Sequence, residues 1–381
     1  MRLGPATLSP LLELLQEVAG DPEDDLHWFI ARILGELRHP LAVAALGQLI
    51  QTTNQAEVAA IAATSLAKSG ELALPVLSQL LHQPEQRVLA AQALTQLGLV
   101  VAVPLLISVV DDDDPQVRAV AVEGLTAFRD PQITPVLAAA LGDPSATVRL
   151  AALRGLGSRG QQLPQIAALT SEIARLLEDL NLEVGLQAAI ALGRLQALGP
   201  LDRLLDRPLI PLALKIQVLR SLAWCETPAA LEILQRRLQA SLQGGPEDPD
   251  CHGISLALIQ ILGRIERSDL QGTATDSLLA ALSLGQHRCW SPDQAAACAL
   301  SLGQLAHSQA FEPLVQLLAR PLAPVRFQVI AALKRIDPDH GRQRLEAMRL
   351  EAIATPTAPD TPPLTEGTAD GIAFALTEWP A

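Results

Sequence analysis

Aromatic residues are nearly missing from this chain. Its 381 residues include five Phe, four Trp and no Tyr, although 49% are apolar. A core without rings must be filled by Leu, Ala, Val and Ile, and stacked helix pairs use small aliphatic cores of that kind. Cysteine is scarce as well: Cys225, Cys251, Cys289 and Cys298 form no CxxC pair, and a chain this long needs no disulfide staples. No apolar run follows Met1 and Arg2, so no secretory signal is expected. The longest nearly apolar run, Leu97 to Val110, contains Pro104 and is too short to span a bilayer, which predicts no transmembrane segment. A soluble protein in a reducing, cytoplasmic compartment is the expectation.

Positive charge is in short supply. The net charge is −13. Residues 1–150 carry 8 basic and 17 acidic side chains, residues 151–350 carry 20 and 19, and residues 351–381 carry none and 5. Nucleic-acid binding needs a basic surface that displaces condensed counterions, so it is not expected.

Catalytic signatures are equally thin. There is no Walker loop, no GxGxxG after a strand and no GxSxG, so no catalytic or cofactor-binding residue is assigned. The run Asp111–Asp114 lacks the alternation and distal Glu of an EF-hand loop; three solvated carboxylates and one helix cap explain it. Cys251-His252 and His287-Arg288-Cys289 suggest loop ligands, but neither has zinc-finger spacing, and ordinary thiols are the reading preferred. No metal is expected.

What the chain does contain is repetition. Asp114-Pro115 reads as an N-cap followed by proline at the first helical position. Apolar residues then recur with helical period at Val117, Val120, Ala121 and Leu125. Asp130-Pro131 starts a second helix ending at Leu141, and Asp143-Pro144 opens the next unit. Taking Arg118 as anchor, equivalent positions are His27, Ala59, Arg87, Arg118, Arg149, Gly185, Lys215, Ser255, Ala295 and Arg326, spaced 28 to 40 residues apart. Seven residues beyond each stands a leucine: Leu34, Leu66, Leu94, Leu125, Leu156, Leu192, Leu222, Leu262, Leu302 and Leu333. Second helices share a proline in the first turn at Pro75, Pro104, Pro135, Pro228 and Pro313. One pair cannot bury its apolar face alone, so neighbours must stack.

The pattern DPxxxVRxxAxxxL followed by DPxxxPxLxxAL resembles the short HEAT repeats of the phycobilisome-lyase (E–Z) type, best at 84–157 and 322–336 and in register over 20–350. The resemblance implies an all-α fold, a right-handed α-solenoid of about ten HEAT-type helix pairs with a flexible C-terminal tail. A capping helix would fill residues 1–20 and the repeats 21–350. A Pro/Thr-rich linker would follow over 351–370, then a short amphipathic motif over 371–381. Departures from the period at 158–170, 241–250 and 284–292 read as surface loops. HEAT pairs also build an iron-dependent deoxyhypusine hydroxylase, which needs His-Glu dipeptides. The seven histidines here precede Trp, Pro, Gln, Gly, Arg, Ser and Gly, so that activity is rejected.

In such a solenoid the second helices line the concave face. Counting from their proline register, positions +1, +2, +5 and +6 should face inward, and +3, +4 and +7 outward. The candidate partner-binding residues are therefore Gln48, Gln79, His82, Arg175, Glu178, Arg203, Asp206 and Glu232. Arg175 and Arg203 suit carboxylates, on an acidic partner or a tetrapyrrole. The expected function is protein recognition as a scaffold or adaptor, as a phycobilisome-associated factor of an antenna complex in a cyanobacterial-type cell. The alternative is a bilin lyase or chaperone-type subunit acting on a phycobiliprotein, with a bilin as cofactor. In the tail, Ile372, Ala375, Leu376 and Trp379 form one apolar stripe, which must dock on the last repeat or recruit another protein; Lys334, Arg335, Arg342 and Arg344 of the last unit, opposite a purely acidic tail, favour docking.

Overall fold

The computed structural model describes residues 7–18, 26–160, 166–207, 209–243, 249–287, 290–320, 322–354 and 366–379. These form 22 α-helices and no strand, in two compact units, Met1–Ala191 and Leu192–Ala381. The first unit opens with α1 (Leu8–Val18). There follow α2 (Leu26–Leu37) and α3 (Pro40–Thr52), α4 (Ala56–Lys68) and α5 (Leu74–Leu81), α6 (Arg87–Leu97) and α7 (Val103–Ile107), α8 (Pro115–Leu125) and α9 (Ile133–Ala140), and α10 (Ala146–Ser158) and α11 (Ile166–Arg175). Helix α12 (Leu182–Arg194) enters the second unit with its last turn, and α13 (Leu198–Leu205) follows. The remaining pairs are α14 (Leu212–Trp224) and α15 (Pro228–Gln243), α16 (Pro249–Leu262) and α17 (Ser268–His287), α18 (Pro292–Leu305) and α19 (Phe311–Leu317), and α20 (Ala323–Ile336) and α21 (Gly341–Ala354). Helix α22 (Glu366–Glu378) closes the chain. The repeats form an all-α solenoid architecture, with helices α2 to α21 alternating as first and second members of ten pairs. Parts of the expected loops at 158–170, 241–250 and 284–292, most of the linker, and Cys289 lie outside the described residues.

The ten register leucines, Leu34 through Leu333, are completely buried. They sit where successive first helices stack, α2 on α4, α4 on α6, α6 on α8 and α8 on α10, and then α14 on α16, α16 on α18 and α18 on α20. Backbones approach closely at the residues flanking that leucine. A β-carbon on Gly35 would collide with Ser65, one on Gly193 with Ser221, and one on Gly303 would lie 2.6 Å from the Ala332 Cα. The sparse aromatics thus have a structural counterpart, since rings would not fit these seams. One seat breaks the rule: Ala223 of α14 is matched by Ile261 of α16.

A ladder of ion pairs ties several pairs to the next. Arg87 donates to Asp112 at 2.8 Å, Arg118 grips Asp143 through Nε and Nη2 at 2.8 and 2.9 Å, and Arg149 holds Asp179 likewise. Lys215 reaches Asp250 at 2.8 Å. The same arginines close their own loops: Arg118 Nη1 donates to the carbonyls of Asp112 and Asp113, and Arg149 Nη1 to those of Asp143 and Pro144. Two sequence expectations change here. Asp112 is not a solvated carboxylate, because its side chain is 8% exposed and spent on Arg87. Asp114 does cap α8, accepting the Gln116 N–H at 2.8 Å, but Ser145 occupies the N-cap position of α10. Asp143 accepts the Ser145 N–H at 2.7 Å and serves mainly as the ladder acid.

The tail is helical for 13 residues and docked. Helix α22 packs on α19, α20 and α21. Ile372 and Ala375 are wholly buried and Trp379 nearly so, joined by Thr368. Gly371 lies against the Leu318 carbonyl, where a β-carbon has no room. Leu376, placed on the stripe by its spacing, is only half-buried. Lys334 Nζ donates to the Glu378 carbonyl at 3.2 Å, and Arg342 Nη1 to the Trp379 carbonyl at 2.7 Å. Cations thus meet the carbonyl end of the helix, where its dipole is negative. Arg326, the anchor of the last pair, clamps the Leu318 and Arg320 carbonyls and lies over the Phe374 ring.

Candidate functional site

The second-helix face is built by the register. Leu46, Leu77, Leu106, Leu137, Ile173, Leu201 and Ala230, at position +2, are at most 1% exposed. Two residues on, at +4, Gln48, Gln79, Ser108, Ala139, Arg175, Arg203 and Glu232 are all exposed. Those 200° of helical rotation separate core from solvent; position +3, expected outward, lies only 100° from +2 and is buried or half-buried throughout, as at Gly47, Asp202 and Leu231. At +7, Gln51, His82, Asp111, Gly142, Glu178 and Asp206 are exposed as well. Gln235 is half-buried instead, its amide donating to Thr273 and Ser277 of α17.

Some of these side chains already have work inside the fold. Asp206 accepts from Arg237, whose guanidinium also grips Asp202. Hydrogen bonding to Arg237 holds the Asp206 carboxyl below its usual range. His82 Nδ1 lies 2.7 Å from the Ser78 carbonyl oxygen. Arg175 belongs to the first unit and Arg203 to the second, and neither forms an ion pair with a described residue. The Arg237 network escaped the sequence reading, since no local spacing joins α13 to α15.

The three described cysteines, Cys225, Cys251 and Cys298, are buried or half-buried. Cys225 Sγ points at the Gly193 and Ser221 carbonyls, both 3.3 Å away, and burial pushes its thiol up to about 11. Cys298 is completely buried and pushed up to about 12. Cys251 and His252 stand in the first turn of α16 rather than on a loop. Among the described residues no three His, Cys, Asp or Glu side chains gather as metal ligands. No helix among them is long and apolar enough to cross a membrane.

A second surface was not anticipated. Between α14 and α16, at the Ala223–Ile261 seat, the seam opens into a cleft of about 720 Å³. Trp224, 59% exposed, stands on its rim. A smaller cleft on the other side of Trp224 is bordered by Gly193, Arg194 and Gln196. The signal was present in the 40-residue spacing from Lys215 to Ser255 and in the bulk of Ile261 where neighbouring seams have Ser or Ala.

With this geometry in place, the relatives can be compared. The HEAT-repeat family model matches residues 9–98 and 103–172, and the PBS lyase HEAT-like repeat model matches residues 294–320. The chain carries HEAT repeats over those residues. Among solved structures similar to this HEAT chain is that of an engineered protein, 19% identical, covering 87% of this chain and 98% of its own at a TM-score of 0.41. Another is the complex of CpcE and CpcF of phycocyanin lyase from Nostoc sp. PCC7120, 23% identical, covering 58% of this chain and 92% of its own at a TM-score of 0.32. No curated protein matches the HEAT chain.

Proposed function

We propose that the HEAT chain is a cytoplasmic protein-recognition scaffold that receives its partner on the second-helix face. The observation that carries this reading is the regular exposure of position +4 above a buried +2 through seven second helices. Within each unit such repetition offers a surface on which many modest contacts add up. Gln48, Gln79 and His82 supply hydrogen bonding, and Glu178, Asp206 and Glu232 supply acid. Arg175 and Arg203 supply charge that no described residue neutralises. An acidic or carboxylate-bearing partner suits those two arginines. Reversing both to Glu should weaken capture by about 1–3 kcal/mol per desolvated contact, and binding unchanged in the double variant would remove this face.

A second reading places the chain beside the light-harvesting antenna of a photosynthetic bacterium, handling a bilin for attachment to a phycobiliprotein. The PBS lyase-type repeat over 294–320 favours it. Co-expression with a bilin and a phycobiliprotein subunit tests it: a coloured covalent adduct is expected, and its absence would eliminate the lyase activity.

A further inference from the structure

The clefts beside Trp224 lie on the first helices, away from the second-helix residues of the proposed function. Their chemistry is distinct. Arg194 borders one cleft and Arg220 and Arg264 the other, all exposed, and none forms an ion pair with a described residue. Elsewhere on these helices cations are committed, as Lys215 is to Asp250. Trp224 therefore lines both clefts together with three guanidinium groups that no described carboxylate pairs. The floor of the larger cleft is apolar, formed by Ala223, Ala257 and Ile261. Two carboxylates, Glu226 and Glu266, line the same cleft. Glu226 accepts the Glu266 N–H at 3.1 Å and, through its own carbonyl, receives Arg267 at 2.7 Å.

We infer that this surface binds an acidic peptide segment carrying a large apolar side chain. The side chain would lie on the Ala223–Ile261 floor against Trp224, with flanking carboxylates on the arginines. Bidentate guanidinium–carboxylate pairing supplies direction, and the Glu226 and Glu266 carboxylates disfavour acid beside them and so set polarity. Two other occupants fit less well. Small ligands are typically buried over most of their surface, whereas here Arg220, Trp224, Gln260 and Arg264 all face solvent. Nucleic acid would meet a chain of net charge −13, opposite to what phosphate binding requires.

The test uses the full chain and a fluorescein-labelled peptide in which Glu alternates with Leu and Phe, followed by fluorescence polarisation. Saturable binding is expected, with a shift in tryptophan emission that Trp224→Phe abolishes. Affinity should fall by about tenfold or more in the Arg220→Glu/Arg264→Glu double variant, and fall with added salt. Loss of binding in Arg175→Glu/Arg203→Glu with none in Arg220→Glu/Arg264→Glu would instead assign the peptide to the second-helix face and overturn the inference. Circular dichroism checks the fold; should the reversals disturb it, Arg220→Gln/Arg264→Gln replaces them. Equal binding of a peptide with Lys in place of Glu, undiminished binding by the arginine variants, or no binding at all would overturn the inference. So would capture of an anilinonaphthalene sulfonate at Trp224 without any peptide binding, which would assign the cleft to small aromatic anions.

Discussion

At Asp143, burial and ionisation pull in opposite directions. Burial pushes its carboxyl up, but the Arg118 fork, the Ser145 N–H and the charge of Arg149 outweigh it and hold it below its usual range. A carboxylate depressed in this way contributes its stability fully above the unfolded value of about 3.9 and loses it as pH falls through the folded one. Exchange protection in α8 and α10 should therefore decline below about pH 4, and Asp143→Asn should flatten that decline while costing about 1–3 kcal/mol at neutral pH. An unchanged acid profile in the variant, measured by hydrogen exchange, would contradict the ladder. Asp114→Ala should cost about 1 kcal/mol as a lost cap, seen as fraying of α8. The cysteines make a second residue-scale prediction. With its thiol pushed up to about 11, Cys225 is thiolate to about one part in a thousand at pH 8. Iodoacetamide should therefore reach half-buried Cys251 well before Cys225 or Cys298, as peptide mapping would show; equal rates would count against the packing. The residue sequence made the register leucines legible, because their spacing repeats. It made the acids legible only as helix starts, because ladder partners come from different repeats and no local rule pairs them.

Helices α18 and α20 meet without room for a side chain at Gly303, where a β-carbon would lie 2.6 Å from a backbone atom of the next helix. Gly303→Val should destabilise the second unit by about 1–3 kcal/mol through overpacking. At Gly199 of α13 a β-carbon meets nothing within 4 Å, so Gly199→Ala should be neutral or slightly stabilising. Thermal unfolding of the two variants checks the contrast, and equal shifts would refute the close seam. The tail belongs to this scale. A solenoid ends on an uncovered apolar face unless something caps it, and α22 covers α19 to α21. Deleting residues 355–381 should remove exchange protection around Leu333 and in the last two pairs while leaving the first eight intact. Identical protection near Leu333 would contradict the docking. The amphipathic spacing of Ile372, Ala375 and Trp379 was readable in advance. Docking was favoured by the basic residues of the last pair facing an acidic tail; its geometry was not legible, because it depends on Gly371 meeting Leu318 and on Lys334 and Arg342 meeting backbone carbonyls, all long-range choices.

For the molecule as a whole, repetition decides what can be inferred. A period and its proline and leucine positions determine helix pairing and which side of each second helix is wet, so the +4 residues were placed on the exposed side by spacing alone. The Trp224 clefts arise where the period stretches and a small seat becomes Ala223 against Ile261, a packing outcome that no single motif announces. The recognition account rests on the exposed second-helix residues acting as a surface. The most direct measurement is quantitative affinity capture from the native cell, comparing the wild-type chain with the Arg175→Glu/Arg203→Glu variant, both verified as folded. The account predicts a specific protein that the wild type retains and the variant loses, since surface charge reversals should alter stability by no more than about 0.5 kcal/mol. An identical set of captured proteins at identical yield from both chains would contradict it.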